Sequence, residues 1–301
     1  MNYIRTLVAL LFILNSGFFL AAQEFMTNLS IAQKLALDQN KMILMVWEEE
    51  TYYDYPVIVV NNNNQAVVVP DLFFNVELKQ LIWKHFVPVI VPEYKYNDLY
   101  KAAEDKRSYK YIQKLGDETL KVLDPSGYIV NTSANSFDNY NITLLIRDYA
   151  FNLEYLEQEL ANYANENSFL NTYFLASKYY DFSMYCKPKV RDDVIKLGDI
   201  YRQNAEKLIE KEPKENQSSL RQRLNLLEIQ TYILDGKIGK ALRSLRRIED
   251  EVHPNNKSFL ALLNYTTLMT RGKRKAAQPW KQQMSSIQIQ KAYKMINLNK
   301  Y

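Results

Sequence analysis

The sequence predicts an α/β domain followed by an all-helical one, and three observations carry that prediction. Apolar runs of strand length, Met42–Trp47 and Phe86–Val91, alternate with capped helical stretches through about residue 140. From Thr143 onward Leu145, Tyr149, Leu153, Leu156, Leu160 and Tyr163 recur at spacings of four, four, three, four and three. That spacing is helical, and it persists in segments to the C-terminus with no convincing strand. Only 7 glycines occur in 301 residues, too few for a repetitive all-β design or for loops that cradle phosphate. Apolar content of 47% is ample for buried cores, and the length suits two units of about 100–200 residues each.

Residues 1–22 read as a secretory signal peptide. Arg5 supplies the charged start, TLVALLFILNSGFFL the apolar core, and Ala21 and Ala22 the small residues before Gln23. A retained anchor needs about 20 uninterrupted apolar residues, and Asn15-Ser16-Gly17 interrupts this run. The expected address is the periplasm or cell envelope, with no integral membrane segment after cleavage. The formal net charge is +4, and removal of residues 1–22 takes away only the charge of Arg5. So weak an excess does not imply a nucleic-acid partner. Export permits disulfides, yet Cys186 is the single cysteine, so stability must come from packing.

Taken in order, Ser30-Ile31-Ala32-Gln33 has the form of a capping box and predicts a short helix ending near Lys41. Met42–Trp47 is a continuous apolar strand, of the kind covered on both faces. Residues 56–60 and 65–69 are β-rich and flank four asparagines, a hairpin pattern. Asn75 caps a helix through His85 with Leu78, Leu81 and Ile82 as its apolar stripe. Pro88 places the strand Phe86–Val91 at a sheet edge. One tyrosine-rich helix is expected over 97–115. Strands at 119–123 and 128–130 flank Asp124-Pro125-Ser126-Gly127, a turn with Pro second and Gly fourth. The two parts are bounded at 23–140 and 141–301.

Three segments of the first part resemble the exported thioredoxin-like proteins. QNKMILMVW is similar to the family's GKPVLVDF strand, FFNVELKQLIWKHFVPVIV to its helix and following strand, and TLKVLDPSGYIV to its TPTLVFLDPDGKIV hairpin. The resemblance spans about residues 26–135 and implies a thioredoxin-like three-layer domain. It also implies a Cys-x-x-Cys pair after Met42–Trp47, where a helix N-terminus lowers the first thiol's pKa. A gapless match puts those positions at Tyr52 and Tyr55; a match anchored on Trp47 puts them at Glu48 and Thr51. Neither pair holds a thiol, and a phenol with a pKa of about 10 cannot replace one. The family's cis-proline would precede Thr119, and that position is Glu118. Tyr52, Tyr55 and Glu118 are therefore degenerate active-site positions and a candidate binding surface, and no catalytic residue is assigned.

Glu48, Glu49, Glu50, Asp54 and Glu118 offer an acidic cluster near the same loop. Such a cluster suits acid–base work or calcium, and more often is simply solvated. Cys186 next to Lys187 is either a reactive thiol or an inert one. His85 and His253 give no zinc spacing, and His85 at a helix end is placed where positive charge is favourable. No metal site and no cofactor is expected. In the second part, LEIQTYILDGKIGKALRSLRRIEDEVHP resembles a tetratricopeptide (TPR) unit, with Gly236 in the turn, Ala241 and Leu245 packing, and Pro254 after it. A weaker unit follows at 258–284 around Gly272. The basic residues Arg243, Arg246, Arg247, Arg271, Lys273, Arg274 and Lys275 gather here, either as a surface for anionic partners or as ordinary helix exterior.

The expected protein is redox-inactive and thioredoxin-like, with a TPR-like helical array, and acts by protein–protein interaction with envelope proteins as scaffold, adaptor or chaperone-like binder. Two other classes stay open: an enzyme related to thiol-disulfide oxidoreductases, and a receptor for small molecules or glycans that uses the 52–55 loop.

Overall fold

The computed structural model describes residues 23–61 and 63–299; the expected signal peptide lies outside the described residues. Helix α1 (Leu29–Asp38) starts at Asn28, whose side chain accepts from the Ile31 N–H at 3.1 Å. The cap is thus two residues earlier than Ser30, because Asn28 already holds extended backbone (φ −126°) ahead of the first turn. Asn40, at φ 53°, turns the chain into β1 (Met42–Trp47). Every residue of β1 is buried, as a strand covered on both faces requires. β2 (Val57–Val60) and β3 (Ala66–Val69) form the expected antiparallel hairpin, Val57 opposite Val69 and Val60 opposite Ala66. Asn61 Oδ1 accepts from the N–H groups of Asn63 and Gln65, and Asn64 adopts φ 59°. Asparagine's short amide and its tolerance of that backbone close the turn.

Helix α2 (Val76–His85) is capped by Asn75, whose Oδ1 accepts from the Leu78 N–H at 2.8 Å. Leu78 and Ile82 are buried, but Leu81 is exposed. The third buried position is Lys79, whose aliphatic stem packs inward while Nζ reaches Glu24 at 2.6 Å. β4 (Phe86–Val91) then pairs in parallel with β1, Met42 opposite Phe86 and Trp47 opposite Val91. The sheet order is β4–β1–β5, with β5 (Lys121–Leu123) antiparallel to β1. Pro88 therefore lies on an edge strand as expected, its outer side met, among the described residues, by a bridge from Met26 to Val89.

Two further expectations need correction in this part. The helix over 97–115 is two helices, α3 (Tyr96–Ala103) and α4 (Tyr109–Gly116). Residues 104–106 are exposed, Asp105 takes φ 57°, and Ser108 caps α4 by accepting from the Tyr111 N–H. Nothing buried there holds a continuous helix together. The strand expected over 119–123 is shorter at its start, and 128–130 contributes a bridge between Ile129 and Leu123 with Val130 N–H on the Val122 carbonyl at 2.8 Å. The intervening turn forms as read: Gly127 N–H bonds the Asp124 carbonyl at 2.9 Å, and Gly127 sits at φ 90°.

The rest is an array of helices: α5 (Ser136–Asn139), α6 (Ile142–Tyr149), α7 (Glu157–Asn165), α8 (Phe169–Ser183), α9 (Pro188–Leu208), α10 (Lys214–Leu234), α11 (Ile238–Arg246), α12 (Lys257–Thr270), α13 (Arg274–Lys281) and α14 (Ser286–Leu298). Leu145, Tyr149, Leu153, Leu156 and Leu160 are all buried, although the chain leaves helical geometry between α6 and the short 3-10 turn before α7. The α10–α11 and α12–α13 hairpins turn alike. Lys237 N–H bonds the Tyr232 carbonyl and Gly236 N–H that of Ile233; Lys273 with Leu268 and Gly272 with Met269 repeat the pattern. Gly236 and Gly272, at φ 72° and 71°, permit this Schellman closure.

One core runs through both parts, from Phe25 to Ile296. Asp124, in the turn after β5, is fully buried and accepts the hydroxyls of Tyr179 on α8 (3.1 Å) and Tyr201 on α9, plus the Tyr128 N–H at 2.9 Å. The Tyr179 and Tyr201 rings stack at 5.3 Å. Tyr149 on α6 donates to Asp193 on α9 at 2.8 Å, and Leu153 N–H reaches the Asn40 carbonyl at 3.0 Å.

Helices α8 and α9 approach closely at Gly198, where an added methyl would lie 2.7 Å from the Tyr180 ring. That ring is buried and its hydroxyl is held by Asp199 at 2.6 Å, so it cannot give way. Gly198→Ala gains about 1 kcal/mol of helix propensity but overpacks a rigid site, at a cost of about 1–3 kcal/mol. Urea unfolding is expected to show a lower midpoint with an unchanged slope. Burial also raises the Asp124 carboxyl from 3.8 to about 6, against the opposing bonds from Tyr201, Tyr128 and Tyr179. A raised folded-state pKa favours the protonated fold, so this contribution is full below the unfolded value and is lost as pH rises through about 6. Measured between pH 4 and 7, the stability of the wild type relative to Asp124→Asn should fall with rising pH; a flat difference would show that Asp124 does not titrate.

Candidate functional site

The parallel strands β1 and β4 end at Trp47 and Val91, and β5 begins at the same end of the sheet. An open cleft of about 630 Å³ lies there. Its floor is Trp47, whose indole N–H donates to the Leu115 carbonyl at 2.9 Å and whose ring meets Tyr96 edge-on at 5.7 Å. Tyr96 in turn lies over Gly116, its hydroxyl 3.1 Å from where a Cβ would stand. Gly116, Asp117 and Glu118 form the far wall.

The rim is acidic. Glu48–Thr51 is a 3-10 turn closed by the Thr51 hydroxyl on the Glu48 carbonyl at 2.7 Å, and it presents Glu49 and Glu50 to the cleft. Glu93, just past β4, accepts the Glu49 N–H at 3.1 Å and joins them. Partial burial raises the Glu50 pKa, the Glu118 charge raises it further, buried Lys121 opposes, and Glu49 and Glu93 add to the rise. Beneath the rim lie Lys114 and Lys121, both buried. Their Nζ atoms stand 3.3 and 3.2 Å from the Asp117 carboxylate, and Lys121 also donates to the Thr119 carbonyl at 2.9 Å. Burial lowers Lys114 to about 7 against the pull of Asp117, and lowers Lys121 for the same reason.

The residues singled out in the sequence separate here. Glu118 lines the cleft with Glu49 and Glu50, and so does Tyr53, a residue of the 52–55 loop. Tyr52 is exposed and stands outside the lining, as does Asp54. Tyr55 is a core residue at 3% exposure; its ring packs on Tyr140 and Phe73, and its hydroxyl donates to the Glu118 carbonyl at 2.9 Å. It supports the wall from behind and does not face the cleft. Glu93, Tyr96 and Asp117 went unnoticed in the sequence. Glu93 had a signal: the residue just past a strand parallel to β1 must emerge beside the end of β1.

Among the described residues no three of His, Cys, Asp and Glu converge as a metal-ligand set, and no helix is long and apolar enough to cross a membrane. His253 has a structural role, its Nδ1 accepting the Asn255 N–H at 3.3 Å. Burial lowers the His85 pKa, with Lys84 and Lys41 adding to the effect, so positive charge is disfavoured there, contrary to expectation. Arg243, Arg246, Arg247, Arg271, Lys273, Arg274 and Lys275 are exposed, on and just after α11 and around the α12–α13 turn. Comparison with protein-family models, with curated proteins and with solved structures finds no match.

Cys186 lies after α8, partly buried, its thiol directed at the Phe182 carbonyl at 3.5 Å. Burial pushes the thiol up to about 12, and Arg191 offsets this only in part. At pH 8 alkylation by iodoacetamide should run on the order of a thousandfold slower than for a free cysteine. A rate near that of glutathione would show the thiol to be accessible and reactive.

Proposed function

We propose that this chain is an exported, redox-inactive protein of thioredoxin-like ancestry that holds a partner protein in the cleft at the end of β1. The strand order supports this reading: a central β1 flanked by a parallel neighbour and an antiparallel one is the arrangement the quoted segments imply. The observation that carries it is the chemistry of the cleft. The cleft beside the loop for which the family resemblance calls for a dithiol is lined by carboxylates and aromatic rings, with the matched positions Tyr52, Tyr55, Glu48 and Thr51 outside that lining, and the single cysteine sits after α8 with its thiol turned to a backbone carbonyl.

Such a lining suits a basic segment of a protein. Lysine or arginine heads would meet Glu49, Glu50, Glu93 and Glu118, while their stems and charge lie against Trp47, Tyr53 and Tyr96. The cleft is open to solvent and charged at its rim, which fits an extended chain better than a small molecule that must be enclosed. The TPR-like helical array supplies further surface for the same partner.

The test is capture from the native envelope with the full chain and with a Tyr53→Ala/Glu118→Gln double variant. The expected result is a discrete partner held by the wild type, retained about tenfold less by the variant, and released by salt. Equal retention by both would remove the cleft from the reading. An insulin-reduction assay run beside it should show no activity; activity that vanishes in Cys186→Ser would restore the enzyme reading.

A further inference from the structure

The β2–β3 hairpin has two outer edges, and they are treated differently. Asn61 N–H bonds the Gln65 carbonyl at 2.9 Å, which makes 61 and 65 a hydrogen-bonded pair. Alternation along an antiparallel ladder then makes 59 with 67 and 57 with 69 the other such pairs. Ile58 and Val60 on β2, and Ala66 and Val68 on β3, must therefore turn their N–H and C=O groups outward. On the β2 side the donors are met: Ile58 N–H by the Tyr140 carbonyl and Val60 N–H by Thr143 Oγ1, each at 2.9 Å. On the β3 side no described residue bonds to Ala66 or Val68.

The free edge is also unguarded. Val67 and Val68 are 43% and 63% exposed, and no charged residue occurs from Tyr55 to Pro70. Edge strands left in water are ordinarily blunted by lysines, inward charges or bulges. This one is stopped only by Pro70, at its end.

We propose that the β3 edge pairs with the same edge of a second copy of this chain. A two-fold axis at Val67 sets Ala66 of one copy opposite Val68 of the other, so every outward N–H and C=O of those residues finds its complement. Pro70, which lacks an N–H, falls outside the pairing. Identical strands meet here without like-charge repulsion because the edge carries no charge. A basic or acidic partner segment, by contrast, finds nothing on this edge to match it. Four-residue strands bury little area, so the dimer forms as concentration rises and not at all dilutions.

Sedimentation equilibrium of the full chain from about 1 to 500 µM should show a rising dimer fraction. Val67→Lys and Val67→Glu each place like charges at the axis, with Cα atoms about 4.5 Å apart, and each should sediment as a monomer. Mixing the two variants should restore association, because opposite charges then meet. Circular dichroism checks that both variants are folded. If either misfolds, hydrogen exchange at the Ala66 and Val68 amides of the wild type serves instead, and protection there should grow with concentration. A wild type that stays monomeric throughout, a Val67→Lys variant that dimerises like the wild type, a mixture that stays monomeric, or amides whose protection ignores concentration would each overturn the proposal.

Discussion

The carboxylate of Asp124 is the interaction on which the rest of this structure depends. It has no contact with solvent, and its hydrogen-bond donors come from two regions of the chain. Tyr128 belongs to the same turn; Tyr179 and Tyr201 belong to the helices packed against it. An uncompensated carboxylate in such a place costs several kcal/mol. The α8–α9 pair therefore completes the α/β part chemically as well as covering it. The stacked tyrosines fix how deep the helices can settle, and the close approach at Gly198 keeps the same two helices in register.

A second ionic arrangement shapes the cleft. Lys114 and Lys121 lie beneath an acidic rim and share Asp117. Their burial depresses their basicity, while partial burial of Glu50, and then the charge of Glu118, raises that of a carboxylate. The cleft thus presents a carboxylate rim over two buried lysines, of which Lys121 partly offsets the rise at Glu50. Tyr55, matched in sequence to a thiol, serves the cleft wall through its bond to the Glu118 carbonyl.

Much of this was legible one element at a time. Asn75, the hairpin at 57–69 and the Asp124–Gly127 turn are local decisions, made by side chains within four residues of the backbone groups they satisfy. The first helix cap was misplaced because Asn28 and Ser30 are both good caps, and only backbone geometry selects between them. The break at 104–108 was missed because helical spacing on either side looks continuous when exposed residues intervene. The cleft was half legible: Glu49, Glu50 and Glu118 were visible as a charge group, while Glu93 joins only through strand register. The role of Asp124 was not legible at all. Two of its three donors lie 55 and 77 positions away, a separation that no periodicity encodes.

That separation orders events in time. A chain made from its N-terminus exposes the Asp124 turn well before Tyr201 has emerged, and until then the carboxylate remains in water. The strands β1, β4 and β5 all precede Asp124, whereas Tyr179 and Tyr201 both follow it. The first half of a growing chain therefore lacks a donor to its buried carboxylate until 77 further residues have been added.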